Sequence, residues 1–135
     1  MTETHAAPRS ALVGGMRHTP VVTITPTDSL WDAWHVMFVS GLRHLVVVGE
    51  DGMPLGLLSD RSVLTDLPLT EERLSHRLVG DVMSHPGTVC SRDSAYDAAG
   101  LMTRHAVDAL PVTDDSGRLT GLITASDLAA WVASS

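Results

Sequence analysis

Cysteine is almost absent from this sequence. The one residue, Cys90, cannot close an internal disulfide, so nothing here is stapled in the manner of small secreted domains. Aromatic side chains are scarce too: Trp31, Trp34, Phe38, Tyr96 and Trp131 are all there is, and the core must be built from aliphatic residues. Positive charge is in deficit, with nine Lys and Arg against sixteen Asp and Glu. A net charge of −7 argues against a general binder of nucleic acid or of anionic membranes, which are drawn by summed basic density, although a local basic pocket is compatible with it. No apolar run reaches the eighteen or more residues a bilayer span requires, and nothing ahead of Met16 has the apolar centre of a signal peptide. The expected location is a reducing cytoplasm. Seven histidines are present, but no zinc-like i,i+4 pair and no paired cysteines accompany them, so no metal site is expected.

What remains is a chain of 135 residues, 44% hydrophobic, long enough to bury about two-thirds of its unfolded surface as one domain or two very small ones. Its main feature is that it is written twice. "DSLWDA" at Asp28 to Ala33 returns as "DSAYDA" at Asp93 to Ala98. At the same offset of 65, Met37 pairs with Met102, Leu45 with Leu110, Val47 with Val112, Gly52 with Gly117 and Gly56 with Gly121. Upstream the offset becomes 67, Met16 with Met83 and His18 with His85, which a two-residue loop insertion explains.

Each copy predicts the same elements. A short apolar segment (21–24 or 88–91) leads to an Asp-Ser pair that caps a helix. Helical spacing then lines up Leu30, Trp34, Met37, Phe38 and Gly41 in the first copy, and Ala95, Ala99, Met102 and Ala106 in the second. Two strand-like runs joined by turn residues form a hairpin, "LVVV" to "LGLLS" and "LPVT" to "LTGLIT", and a short helix closes each copy near 60–66 and 126–133. The result is β-α-β-β-α twice, an α+β fold. Because one repeat of about fifty residues is marginal alone, the two are expected face to face around a pseudo-twofold axis. The expected division is a loose N-terminal tail over 1–15, a first repeat over 16–67, a linker over 68–81 and a second repeat over 82–135. The linker is read as helical, with Leu74 and Leu78 at i,i+4 after Thr70.

The ordered set of motifs resembles the cystathionine-β-synthase (CBS) domain family, whose members occur as tandem pairs. The residues that carry the resemblance are Val82-Met83 (Met16 alone in the first copy), the two Asp-Ser helix starts, "LPV" at 110–112, and "GLITASDL" at 121–128 with its partner "GLLSDRSV" at 56–63. Coverage runs from about 16 to 133. The resemblance implies a non-catalytic regulatory module, with no required cofactor, that binds AMP, ADP, ATP or S-adenosylmethionine in the cleft between repeats. It implies that Asp127 grips the ribose, that the hydroxyls of Thr124 and Ser126 lie near phosphate, and that the backbone at Val89 and Cys90 meets adenine. Arg43 and His44, ahead of Leu45, would reach the phosphates; Ala109 and Pro111, either side of Leu110, complete the set. The chemistry is sound in itself, since a carboxylate can accept from both hydroxyls of a vicinal diol and a helix N-terminus suits a phosphate.

A plainer reading stands beside it. Thr124-Ala125-Ser126-Asp127 also matches a capping box, and both roles can be shared. The first copy lacks the acid, with Ser62 where Asp127 stands, and Asp108 precedes Ala109 where Arg43 precedes His44. One site therefore keeps both handles and the other has neither. The alternative function is a ligand-independent dimerisation module using helix faces such as those carrying Trp34 or Trp131. A homodimer is expected, parallel or antiparallel, together with an unidentified effector protein. An enzyme is the weakest reading: no nucleophile-base-acid pattern, phosphate-cradling glycine loop or paired-carboxylate motif is present.

Overall fold

The computed structural model describes residues 11–17, 21–65 and 69–134, and it divides into two compact units. The predicted β-α-β-β-α succession is present twice. In the first copy β1 (Thr23–Ile24) is followed by α1 (Leu30–Ser40), β2 (His44–Val48), β3 (Pro54–Ser59) and α2 (Asp60–Leu64); α3 (Glu71–Ser75) and α4 (Val79–Val82) come next. The second copy comprises β4 (Val89–Cys90), α5 (Ala95–His105), β5 (Ala109–Thr113), β6 (Leu119–Thr124) and α6 (Ala125–Ala133). None of these helices is long and apolar enough to cross a membrane.

Local chemistry explains each start and stop. Ser29 and Ser94 cap α1 and α5, their hydroxyls accepting from the backbone N–H of Asp32 and Asp97 at 3.1 Å. Both helices end on a left-handed residue, Gly41 and Ala106. Each copy forms a three-stranded sheet with the central strand parallel to the first and antiparallel to the third: β1-β2-β3 and β4-β5-β6. The same register shift falls between Val47 and Val48 and between Val112 and Thr113. The central strands do not alternate: Leu45, Val46 and Val47 are all buried, as are all five residues of β5, which fits sheets without a solvated face.

The helix faces differ in part from the spacing-based expectation. Leu30, Ala33 and Met37 are the buried stripe of α1, and Ala95, Ala98 and Met102 that of α5. Phe38, placed by its spacing with the apolar face, is instead 80% exposed, and Ala99 is exposed as well. Leu30, Met37, Ala95 and Met102 keep their expected places, whereas Ala33 is buried beside a Trp34 only half-buried against the core, and Ala98 is buried where Ala99 was expected.

The units do not coincide with the repeats. One holds Val22–His85 and the other combines the N-terminal segment with Pro86–Ser135. Residues 1–10 of the expected tail lie outside the described residues, but Ala11–Gly15 are not loose. Val13 is fully buried in the second copy's core, its N–H donates to the Asp93 carbonyl and that of Gly14 to the Ser91 carbonyl, both at 2.9 Å. Reciprocally, the segment after the first repeat packs on that repeat. The N–H groups of Val79 and Gly80 donate to the carbonyls of Asp28 and Pro26, again at 2.9 Å, and Leu74 and Val79 are fully buried. "VGG" at 13–15 and "VGD" at 79–81 thus make the same contacts, each docked with a core the repeat boundaries do not assign to it.

The linker is also broken where one helix was expected. Thr70 caps α3 as predicted, its hydroxyl accepting from Arg73 at 3.2 Å, and Leu74 is buried. Leu78 lies beyond the end of α3, 41% exposed, and bridges to Ser29. Gly56 has a plain steric reason: a Cβ there would lie 2.5 Å from the Ser84 carbonyl oxygen, with which Leu57 exchanges backbone hydrogen bonds.

Candidate functional site

The second copy's hairpin delivers the chain to the start of α6. Ala109 and Thr124 are register partners at one end of the β5–β6 ladder, and the Ala125 N–H donates to the Asp108 carbonyl at 2.8 Å, tying the helix start to the strand start. Thr124 is extended, with its hydroxyl accepting from the Asp127 N–H at 3.2 Å. Oδ2 of Asp127 accepts from the Thr124 N–H at 2.8 Å. The cap anticipated from spacing is therefore formed in full, and it fixes the half-buried carboxylate at the positive end of a nine-residue helix. Ser126, between them, is exposed.

The first copy reproduces the frame without the acid. Ser59 caps α2, accepting from the Ser62 N–H at 3.1 Å, and the two hydroxyls lie 3.0 Å apart. The Asp60 N–H donates to the Arg43 carbonyl at 2.9 Å, the counterpart of Ala125 and Asp108. Asp60 also faces Arg43 side chain to side chain, Oδ2 to Nε at 3.4 Å. Arg43 is 75% exposed, so this ion pair contributes little stability. His44 begins β2 opposite Ser59, as Ala109 begins β5 opposite Thr124.

The remaining candidates of the second copy lie on its sheet. Val89 pairs with Val112 and is buried, Cys90 pairs with Thr113 and is half-buried, and Pro111 is buried opposite Leu122. Thr124, Ser126, Asp127, Val89, Cys90, Ala109 and Pro111 thus belong to one compact unit, and Arg43 and His44 to the other.

Cys90 has neighbours that its sequence position does not announce. Its thiol donates to Oδ1 of Asp115 at 3.4 Å, and Arg92 Nε lies 2.9 Å from the same oxygen. The hydrogen bond with Cys90 and the charge of Asp115 hold the Arg92 guanidinium above its ordinary pKa. The available signal was Arg92, two residues on, which meets the thiol's partner Asp115. Among the described residues, no three His, Cys, Asp or Glu side chains converge as metal ligands would.

The model for the family described as CBS domain matches the chain twice, over residues 13–68 and 79–134. An uncharacterized protein of Methanopyrus kandleri is 27% identical over 121 residues, covering 89% of this chain and 62% of that protein. Homoserine O-acetyltransferase of Methanococcoides burtonii is 33% identical over 80% of this chain, and inosine-5'-monophosphate dehydrogenase of Mycobacterium tuberculosis 34% identical over 81%. The chain spans only 21% and 20% of those two enzymes. Among solved structures, the CBS domain pair of protein MJ0100 in complex with 5'-methylthioadenosine and S-adenosyl-L-methionine superposes with a TM-score of 0.78 at 20% identity, covering 92% of this chain and 97% of that one. The CBS domain of the bacterial CNNM/CorC family Mg2+ transporter in complex with ATP gives 0.83 at 20% identity, covering 96% and 92%.

Proposed function

The chain belongs to the CBS domain family, and on that premise we propose that it is a non-catalytic regulatory module whose adenosine-containing ligand is held at the site built on Asp127. One observation carries this reading. Of the two corresponding helix starts, only that of the second copy has a carboxylate at the third helical position, Asp127 of α6; α2 has Ser62 there, its acid Asp60 standing at the first position. A carboxylate has several acceptor positions, so the bond from the Thr124 N–H does not exhaust its capacity for a ribose diol. The hydroxyls of Thr124 and Ser126 and the N-terminal dipole of α6 suit a phosphate. The strand starts differ in charge as well: Arg43 and His44 stand at that of β2, Asp108 and Ala109 at that of β5. Adenine would lie against the backbone at Val89 and Cys90, with Ala109 and Pro111 forming the adjoining wall.

Two facts support a regulatory role over a catalytic one. The shared segment occurs in an acetyltransferase and in a dehydrogenase, reactions with no common chemistry, and makes up about a fifth of each. The solved relatives with adenosyl ligands supply the ligand class. Ligand binding shifts the module between arrangements of unequal affinity, and an effector protein reads the change.

The test is a thermal-shift panel with AMP, ADP, ATP and S-adenosylmethionine on the wild type, Asp127→Ala and Asp127→Asn. At least one ligand is expected to raise Tm progressively above its Kd. Asp127→Asn, which keeps a capping oxygen, should fold normally and lose that rise. No shift with any ligand, or an undiminished shift in both variants, would sink the reading.

A further inference from the structure

The stretch joining the two repeats carries a charge cluster of its own. The two matches to the CBS family model end at residue 68 and resume at residue 79, so residues 69–78 belong to neither. Arg73, His76 and Arg77 stand there at i, i+3 and i+4, a spacing that gathers them on one side of α3 and the turn that follows it. Together with Thr70 and Glu72 they line an open hollow of about 470 Å³. Arg73 and His76 are exposed and Arg77 is half-buried. The backbone beneath them is pinned. The Thr70 hydroxyl accepts from the Arg73 N–H at 3.2 Å, Leu74 is fully buried, and the Arg77 carbonyl accepts from the N–H of Leu30, the first residue of α1, at 2.9 Å. Nδ1 of His76 donates to the Glu72 carbonyl at 2.6 Å, which leaves Nε2 for a ligand. Arg73 and Arg77 each take part in another interaction within the chain, but a guanidinium carries five N–H donors and can serve several acceptors at once.

We infer that this hollow docks an acidic segment of a partner protein, whose carboxylates are held by the forked donors of Arg73 and Arg77 and by His76. Charge complementarity selects the class: a carboxylate fits the planar guanidinium through two parallel hydrogen bonds. The build of the hollow selects a peptide over a small molecule. Small-molecule sites are lined mostly by apolar side chains and bury about 70–90% of their ligand, whereas among the described residues this lining is wholly polar and the hollow is open. A nucleic acid is the wrong partner for a chain of net charge −7 with three cations here, since its binders neutralise on the order of six to ten phosphates. Glu72, on the edge of the hollow, repels an acidic chain that lies out of place and so helps to set its position. The inference gives the effector of the regulatory reading a docking chemistry, but it stands without that reading, because no part of it involves Asp127.

The experiment is an NMR titration of the whole, isotope-labelled chain with a hexaglutamate peptide at low ionic strength. Backbone amide shifts should centre on residues 70–77. Arg73→Gln combined with Arg77→Gln should weaken binding at least tenfold, while Arg73→Lys combined with Arg77→Lys, which keeps the charge and loses the fork, should weaken it less. His76→Glu, on an exposed side chain, should weaken it at least threefold and serves if the glutamine pair disturbs the circular dichroism. Asp127→Asn should bind the peptide as the wild type does, so failure here and failure at Asp127 are told apart. The inference is overturned by an absence of shifts, by shifts centred elsewhere, or by undiminished binding in the folded variants. It is equally overturned if inorganic phosphate displaces the peptide at matched anionic charge, or if oligothymidylate binds more tightly than the peptide.

Discussion

Thr124 and Asp127 exchange two hydrogen bonds, the N–H of each donating to the side-chain oxygen of the other at 2.8 and 3.2 Å. The acid assigned to the ligand is thus also a structural acid. Removing the threonine hydroxyl leaves the Asp127 N–H without that partner, and loss of an N-cap costs about 1 kcal/mol. Thr124→Ala is expected to lower stability by about that amount in urea unfolding, with unchanged m-value. Ser59→Ala in the first copy should cost less, because the cap it removes serves a helix of only five residues that has no reciprocal acid.

Gly41 and Ala106 occupy corresponding positions and both adopt left-handed backbone, φ 73° and 54°. Glycine does so without penalty, whereas alanine is held against its preference. Nothing lies within 4 Å of a Cβ built on Gly41, so Gly41→Ala isolates the backbone penalty, about 1 kcal/mol destabilising. Ala106→Gly should do the reverse, by about 0.5 kcal/mol once the greater freedom of the unfolded glycine is counted. Thermal or chemical denaturation of the two variants checks both signs.

Asp114 organises the β5–β6 turn. Its Oδ1 accepts from the Ser116 hydroxyl at 2.7 Å and from the N–H groups of Ser116 and Arg118 at 2.9 and 3.0 Å. The Ser116 hydroxyl foremost, then the Arg118 N–H, hold the carboxyl below its ordinary pKa. A depressed folded-state pKa means the contribution is complete above the unfolded-chain aspartate value, near 4, and is lost as pH falls through the lower folded value. Tm measured from pH 6 down to pH 2 is therefore expected to fall less steeply below pH 4 in Asp114→Asn than in wild type.

Both sheets, the four helix caps at Ser29, Ser94, Thr70 and Thr124, and the duplicated order of elements were legible because they rest on short-range signals: caps, turn glycines and apolar runs. Phe38 was misplaced for a related reason. Helical spacing finds a stripe, but not which of two adjacent apolar positions meets the sheet, and Ala33 took the place that size alone would have given to an aromatic. The exchange of "VGG" and "VGD" segments could not be read at all, since nothing local distinguishes a residue that packs on the next strand from one that packs on a strand eighty positions away. Of the candidate site, the Thr124–Asp127 frame and the missing acid at Ser62 were legible; the Arg43–Asp60 pair and the neighbours of Cys90 depend on how strand ends turn.

Val13 is made early and completed late. As the polypeptide leaves the ribosome, the segment that seals the second core emerges long before Asp93 and Ser91, the carbonyls it must find. Neither repeat, cut out at its own sequence boundaries, carries all the parts of its own interior. Closure of the second core therefore has to join segments made nearly eighty residues apart, and a nick between the repeats would part each core from a segment that completes it.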